Sequence, residues 1–286
     1  MRWLIYGHKG WIGGQIKQLL EQSGQEIIDG KSRVDQYQQT LDEVKSINPD
    51  RIICSIGRTS GKDCSNIDYL EMPNRLPENL RDNLMAPLNL AQISQLLNIH
   101  LTYIGTGCIY EYDDEHTMIN LKGYNEDDKP NFFGSQYSIV KGVTDQLIRR
   151  FNTVLNCRIR MPINNQDHPR NFITKITKYK KIISVPNSMT VLPDLLPIMI
   201  DMATKKLTGS INLTNPGVIS HQEILDLYQK YVDPNFTYQI MPLEQLSKYT
   251  LAKRSNNCLD TTLLTSLYQV TPIYQSIIHI MKDYHH

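Results

Sequence analysis

Nowhere in these 286 residues does an apolar run approach the roughly 20 that a membrane-spanning helix needs. Neither sign of charge is in excess: 30 Lys and Arg stand against 29 Asp and Glu, a formal +1. That balance exerts no broad pull toward nucleic acid or an anionic membrane, and it points to a small-molecule partner. Cysteine is scarce. Cys54, Cys64, Cys108, Cys157 and Cys258 are odd in number and scattered, with no CxxC pair and no histidine cluster at metal-ligand spacing. Neither a disulfide framework nor a metal site is therefore expected, and a reduced, cytoplasmic setting is. The opening MRWLIYG enters a strand at once, so no signal peptide is expected. Repeats and low-complexity linkers are missing too. The length suits one large α/β domain, or such a domain with a smaller lobe appended.

What is present is an alternation. Arg2 to Tyr6 reads as a buried strand, and Gly7-His8-Lys9-Gly10-Trp11-Ile12-Gly13 leads into an amphipathic helix carrying Ile16, Leu19 and Leu20. Strand, three glycines and helix form the context of a dinucleotide fingerprint. Gly7 suits the tight turn, Gly10 lets backbone N–H groups approach a pyrophosphate, and Gly13 lets the helix pack closely on the strand. A second strand, Glu26 to Asp29, ends in Gly30-Lys31-Ser32-Arg33, where the adenosine ribose would lie. Asp29 suits a ribose 2′-hydroxyl and hence NADH; Lys31 and Arg33 suit a 2′-phosphate and hence NADPH, to which the reading leans.

Further along, Tyr37 to Ile47 reads as a helix, Arg51 to Ser55 as a strand, Leu76 to Leu97 as one long helix, and His100 to Gly105 as a strand. Within that long helix, Asn83 either braces a neighbouring strand or faces solvent. The alternation implies a Rossmann-type doubly wound parallel sheet with right-handed crossovers. From about residue 161 the pattern loosens. The division expected is a dinucleotide-binding domain over 1–160, with some later elements returning to it, and a smaller substrate-binding lobe over 161–286, the substrate cleft lying between them.

The chain is organised around the stretch from Tyr103 to Lys141. Leu101 to Ile104 is a short apolar strand, and Gly105-Thr106-Gly107 ends it, so Thr106 and Cys108 sit at a strand's carboxyl end. Tyr137 and Lys141, four apart in a helix opening near Ser135, share one helical face. A hydroxyl, a phenol and an ammonium beside a cofactor are the parts of a carbonyl reductase, and the thiol at Cys108 suggests chemistry before reduction. Read alone, Cys108 is a small buried hydrophobe and Lys175 a solvated helix lysine.

Taken together, GHKGWIGG, TGCIYEYD, GSQYSIVK, RMPI, PRNFITKI, VPNSMTVLPDLLPI, NLTNPGVISHQEIL and RSNNCLD resemble the extended short-chain dehydrogenase/reductases. More closely, they are similar to the epimerase/reductases that finish nucleotide-rhamnose synthesis in plants, both free and as the C-terminal half of a trifunctional rhamnose synthase. The resemblance implies epimerisation of UDP-4-keto-6-deoxyglucose at C3 and C5, then NADPH-dependent reduction at C4 to UDP-β-L-rhamnose. By position it implies a reductase triad of Thr106, Tyr137 and Lys141, an epimerising pair of Cys108 and Lys175, and a cofactor loop of Gly7, Gly10, Trp11, Ile12 and Gly13. Asn171, Thr190 and Arg254 become candidates for holding the nucleotide sugar. It further implies a separate 4,6-dehydratase upstream, and leaves open whether the chain is a homodimer and whether the nucleotide is UDP or dTDP. Two rival readings are a 4-keto reductase that relies on another epimerase, and a cofactor-binding regulatory subunit without catalysis.

Overall fold

The computed structural model describes residues 1–62 and 64–284; His285 and His286, on which no expectation rested, lie outside the described residues. Eight strands occur among the described residues: β1 (Arg2–Tyr6), β2 (Glu26–Asp29), β3 (Arg51–Cys54), β4 (His100–Thr106), β5 (Val154–Ile159), β6 (Lys181–Ile182), β7 (Gly209–Asn212) and β8 (Gln239–Ile240). The chain divides into two compact units. The first holds 1–106, 135–158 and 196–211, and the second holds 107–134, 159–195 and 212–286.

Beside the later elements expected to return to the first unit, the division places an early segment, 107–134, in the second, for reasons visible in the backbone. Residues 107–134 belong to the second unit because they pair there: Tyr112 N donates to Asn256 O and Tyr124 N to Cys258 O, each at 2.9 Å. Residues 196–211 return to the first unit, where the buried Arg51 guanidinium donates to the carbonyls of Ala203 and Thr204 at 2.7 Å. Neither contact leaves a local trace in the sequence.

In the first unit the sheet runs β2-β1-β3-β4-β5-β7. The three pairings β1 with β2, β1 with β3, and β3 with β4 are parallel. Strand β1 reads as an unbroken apolar run because a parallel strand is covered on both faces; Trp3, Leu4 and Ile5 are fully buried. Fully burying each such side chain contributes about 1.5–3 kcal/mol. Because β1 lies between β2 and β3, the chain reverses its direction of travel across the sheet there. In open α/β sheets ligands bind outside the strand ends at that reversal.

Helix α1 (Trp11–Gln22) follows β1 and α2 (Tyr37–Ile47) follows β2. The single helix expected over 76–97 is instead α3 (Leu76–Leu80), a π-helical turn over Arg81–Met85, and α4 (Ala86–Leu97). Pro87 explains the break. It has no N–H to give the carbonyl four residues back, that of Asn83, and the wider turn relieves its ring. That carbonyl accepts instead from Thr144 Oγ1 at 2.7 Å. The Asn83 side chain braces the loop after β3: its Oδ1 accepts from Arg58 N at 2.9 Å and its Nδ2 donates to Arg58 O at 2.8 Å.

Helix α5 (Gln136–Ile148) is fastened to the sheet by charge. Arg158, fully buried on β5, donates to Asp145 through Nε at 2.9 Å and Nη2 at 2.8 Å, and Asn156 Nδ2 adds a third bond at 2.7 Å. Removing one partner of such a pair strands the other charge, at a cost of about 3–5 kcal/mol. The pair fixes the third turn of the helix, one turn past Lys141.

The second unit has its own core, in which Ile163, Ile173, Met189, Ile224, Leu225 and Ile277 are fully buried. It contains the parallel pair β6 and β8, α6 (Phe172–Ile176), α7 (Leu192–Thr204), whose last turns return to the first unit, and α8 (His221–Tyr231). Ser220 and Glu223 form a capping box that opens α8.

Candidate active site

At the reversal point of the first unit, Gly7 adopts φ +88°, a left-handed conformation that costs glycine nothing. A Cβ at Gly13 would meet Gly7 O at 2.2 Å, so only glycine lets α1 seat so closely. No side chain caps the N-terminus of α1 and no acid occupies its first turn. The helix therefore presents its positive end uncompensated, as a pyrophosphate requires. Trp11 and Ile12 occupy that first turn.

The turn after β2 is held by Glu43, whose carboxylate accepts from Lys31 N, Ser32 N and Tyr6 Oη at 2.8–2.9 Å. Lys31 and Arg33 project into solvent from it. Asp29 is already engaged: Lys17 Nζ donates to both its oxygens at 2.9 and 2.8 Å.

Thr106 ends β4, buried, and Tyr137 and Lys141 stand one turn apart on α5, 9% and 3% exposed. Ser135 caps this helix by accepting from Ser138 N at 3.0 Å, and Gln136 N donates to Glu71 at 2.7 Å. Sequence reasoning missed the partner of Lys141. Its Nζ donates to Tyr103 Oη and lies 4.6 Å from that ring's centroid. Burial holds the Tyr103 phenol well above its ordinary value, so it stays a neutral hydroxyl under the ammonium. The signal was a tyrosine inside an otherwise apolar buried strand, whose hydroxyl must find a partner.

In the second unit, Cys108 is half-buried, one residue past a carbonyl (Gly107 O) that accepts from Arg160 Nη1 and Asn257 Nδ2 at 3.0 Å each. Lys175 sits near the end of α6. Burial, with the nearby charges of Arg170 and Arg254, pushes its ammonium down to about 8. It is thus protonated by roughly ten to one at neutral pH yet gives up its proton readily. Arg254 is where a diphosphate-binding cation was expected to be useful, and Arg170, not singled out from sequence, joins it beside Lys175.

Asn171 and Thr190 are both engaged within the second unit. Both are fully buried. Asn171 caps α6, its Oδ1 accepting from Ile173 N at 3.2 Å and its Nδ2 donating to Asn164 O and Gln166 O at 2.9 and 2.7 Å. Thr190 Oγ1 donates to Leu213 O at 2.8 Å and accepts from Arg160 N at 3.0 Å. Their polar atoms are spent on shaping the unit, and the one residue of the three with a charge to offer is Arg254.

No family model matches the chain. The solved structure of the UDP-rhamnose synthase from Acanthamoeba polyphaga mimivirus is 50% identical, with 99% of both chains covered and a TM-score of 0.96. The bifunctional dTDP-4-dehydrorhamnose 3,5-epimerase/dTDP-4-dehydrorhamnose reductase of Arabidopsis thaliana is 41% identical over 282 residues, which are 98% of this chain and 92% of that protein. The chain belongs to the nucleotide-rhamnose epimerase/reductase family. A trifunctional UDP-glucose 4,6-dehydratase/UDP-4-keto-6-deoxy-D-glucose 3,5-epimerase/UDP-4-keto-L-rhamnose-reductase of the same plant is 40% identical over 97% of this chain, which spans 41% of that longer protein. As an epimerase/reductase family member the chain has the Rossmann-like parallel sheet that its first unit shows. Among the described residues, no helix is long and apolar enough to cross a membrane, and no group of His, Cys, Asp or Glu is placed to hold a metal ion.

Proposed function

We propose that this chain is a bifunctional 3,5-epimerase and NADPH-dependent 4-reductase that converts UDP-4-keto-6-deoxy-D-glucose to UDP-β-L-rhamnose. The observation that carries the reading is the tether between two chemistries. Thr106 belongs to a hydroxyl, phenol and ammonium set suited to a carbonyl oxygen. Cys108, paired in role with Lys175, is suited to moving protons at carbon. Only two residues of chain, at most about 7 Å, separate Thr106 from Cys108.

A ketone at C4 acidifies the hydrogens at C3 and C5. The Cys108 thiolate takes one: the C–H bond breaks, S–H forms, and the electron pair moves onto O4. Thr106 and Tyr137 donate to that enolate oxygen. Lys175 then delivers a proton to the opposite ring face. In a gluco-configured pyranose the hydrogens at C3 and C5 lie on one face, so one base and one acid serve both carbons. Reduction reuses the same oxygen clamp. Bound NADPH supplies the hydride to C4. As the oxygen becomes an alkoxide, Tyr137 gives it the phenolic proton, and the neighbouring Lys141 charge stabilises the phenolate left behind.

The site's own residues favour NADPH over NADH. Lys17 neutralises Asp29, the carboxylate that would bind a ribose 2′-hydroxyl, while Lys31 is exposed for a 2′-phosphate, with Arg33, paired to Asp35 at 3.2 Å, two residues on. Diphosphate binding is assigned to Arg254 and Arg170. The 4-keto sugar is the kind of product that a 4,6-dehydratase makes.

The experiment that tests this is hydrogen exchange without reduced cofactor. In deuterated water, deuterium enters the 4-keto sugar at C3 and C5, and kcat/KM for exchange falls on the alkaline side with a midpoint near about 8, as Lys175 loses its proton. Exchange that rises through that range would make Lys175 the base. Absence of exchange would leave a reductase dependent on another epimerase.

A further inference from the structure

Strand β2 ends in an acid at the position that distinguishes the two nicotinamide cofactors. Asp29 is its last residue, in register with Ile5 of β1. A carboxylate there accepts from a ribose 2′-hydroxyl and repels a 2′-phosphate, which is also an anion. A chain that binds NADPH while keeping this acid must cancel it.

The other acids of this turn are already engaged. Glu43 accepts from the backbone N–H groups of Lys31 and Ser32 at 2.8 and 2.9 Å, and Asp35 pairs with Arg33 at 3.2 Å. Asp29 is met by Lys17 of α1, whose Nζ donates to Oδ1 at 2.9 Å and to Oδ2 at 2.8 Å. One ammonium thus occupies both carboxylate oxygens and matches their charge. That bond, with Glu21 acting in the same direction, raises the Lys17 ammonium above its ordinary value and keeps it charged. His8 does not do this work. Its Nε2 lies 3.8 Å from Asp29 Oδ2, beyond hydrogen-bond reach, and its Nδ1 is turned to Ile5 O at 3.3 Å.

Holding the fold does not explain the pair. Its two side chains are 31% and 37% exposed, and ion pairs that open to water add little stability. Helix α1 is seated instead by Gly13, Ile16 and Leu20, all buried.

We propose that Lys17 determines cofactor choice by masking Asp29, so that a strand end suited to NADH accepts the 2′-phosphate of NADPH. The inference rests on the reading of NADPH as the reductant. Lys17 acts through Asp29 and not by gripping the cofactor. Without its ammonium, Asp29 regains two free acceptors for the ribose hydroxyls and an uncancelled charge against the phosphate.

Fluorescence titrations of NADPH and of NADH test this in the wild type, Lys17→Met, Asp29→Asn and the double variant, with thermal melting to confirm folding. Lys17→Met should weaken NADPH by about tenfold or more and tighten NADH. Asp29→Asn should leave NADPH binding near the wild-type value. In the Asp29→Asn background, Lys17→Met should change the ratio of the two Kd values by less than about twofold, because no charge is left to mask. A loss of NADPH affinity there as large as in the single Lys17→Met variant overturns the inference, since the lysine would then hold the phosphate directly. An unchanged ratio in Lys17→Met overturns it as well. A wild type that binds NADH more tightly than NADPH overturns the reading of the reductant instead, and does so before any variant is compared.

Discussion

Tyr137→Phe lowers the rate of 4-keto reduction by about 10²–10⁴-fold, the usual contribution of a positioned proton donor. The substitution is confined to one oxygen. The ring keeps its packing at the start of α5, and Lys141 keeps its bond to Tyr103 Oη, so the helix and its ammonium stay in place. NADPH binding, which the proposed site assigns to the turn after β1 and the α1 N-terminus, is expected to be nearly unchanged. Single-turnover NADPH oxidation with an already epimerised 4-ketone measures the loss, and a fluorescence titration of NADPH measures the binding. Because Tyr137 also donates to the enolate oxygen, exchange at C3 and C5 slows as well. Turnover near the wild-type rate would mean that another group supplies the proton. It would also exclude the catalytic use of Lys141 argued above.

Cys108→Ala separates the two halves of the reaction. Exchange at C3 and C5 falls by about 10²–10⁴-fold, because the proposed base is gone, while reduction of a pre-epimerised 4-ketone continues on Thr106, Tyr137 and Lys141. The side chain is small and half-buried, so the fold loses little. Cys108→Ser adds a finer point: a serine hydroxyl fits the space but stays protonated, and it should rescue almost nothing. Parallel measurement of both activities decides the matter. Loss of both together would make Cys108 a packing residue, and the epimerising role would pass elsewhere.

Legibility followed the range of the interactions involved. The turn at Gly7, the close seat at Gly13, the Tyr137 and Lys141 spacing and the Ser220 capping box all depend on neighbours within about one or two helical turns, so residue order exposes them. The parallel sheet was equally plain in the unbroken apolar run of β1. What stayed hidden depends on partners far along the chain. Pro87 was visible, but that it would open a π-turn depended on Thr144, 61 residues from Asn83, being there to take the freed carbonyl. Tyr103 and Lys141 meet across 38 residues, and Arg160 reaches Ser255 across 95. Asn171 and Thr190 lie in motifs that pointed to substrate, yet their burial turned the same polar atoms inward. The interleaving of the two units is of the same kind, because the pairing of 107–134 with the segment around Asn256 is set by contacts no local pattern records.

The central claim is that a single ketone oxygen is held for both proton transfer and hydride transfer by this one chain. It is tested most directly by running the complete reaction, with UDP-4-keto-6-deoxy-D-glucose and NADPH, in deuterated water and reading the product by NMR. The account predicts UDP-β-L-rhamnose carrying deuterium at C3 and C5 and protium at C4. A 6-deoxyhexose reduced at C4 but with C3 and C5 unlabelled and uninverted would contradict it.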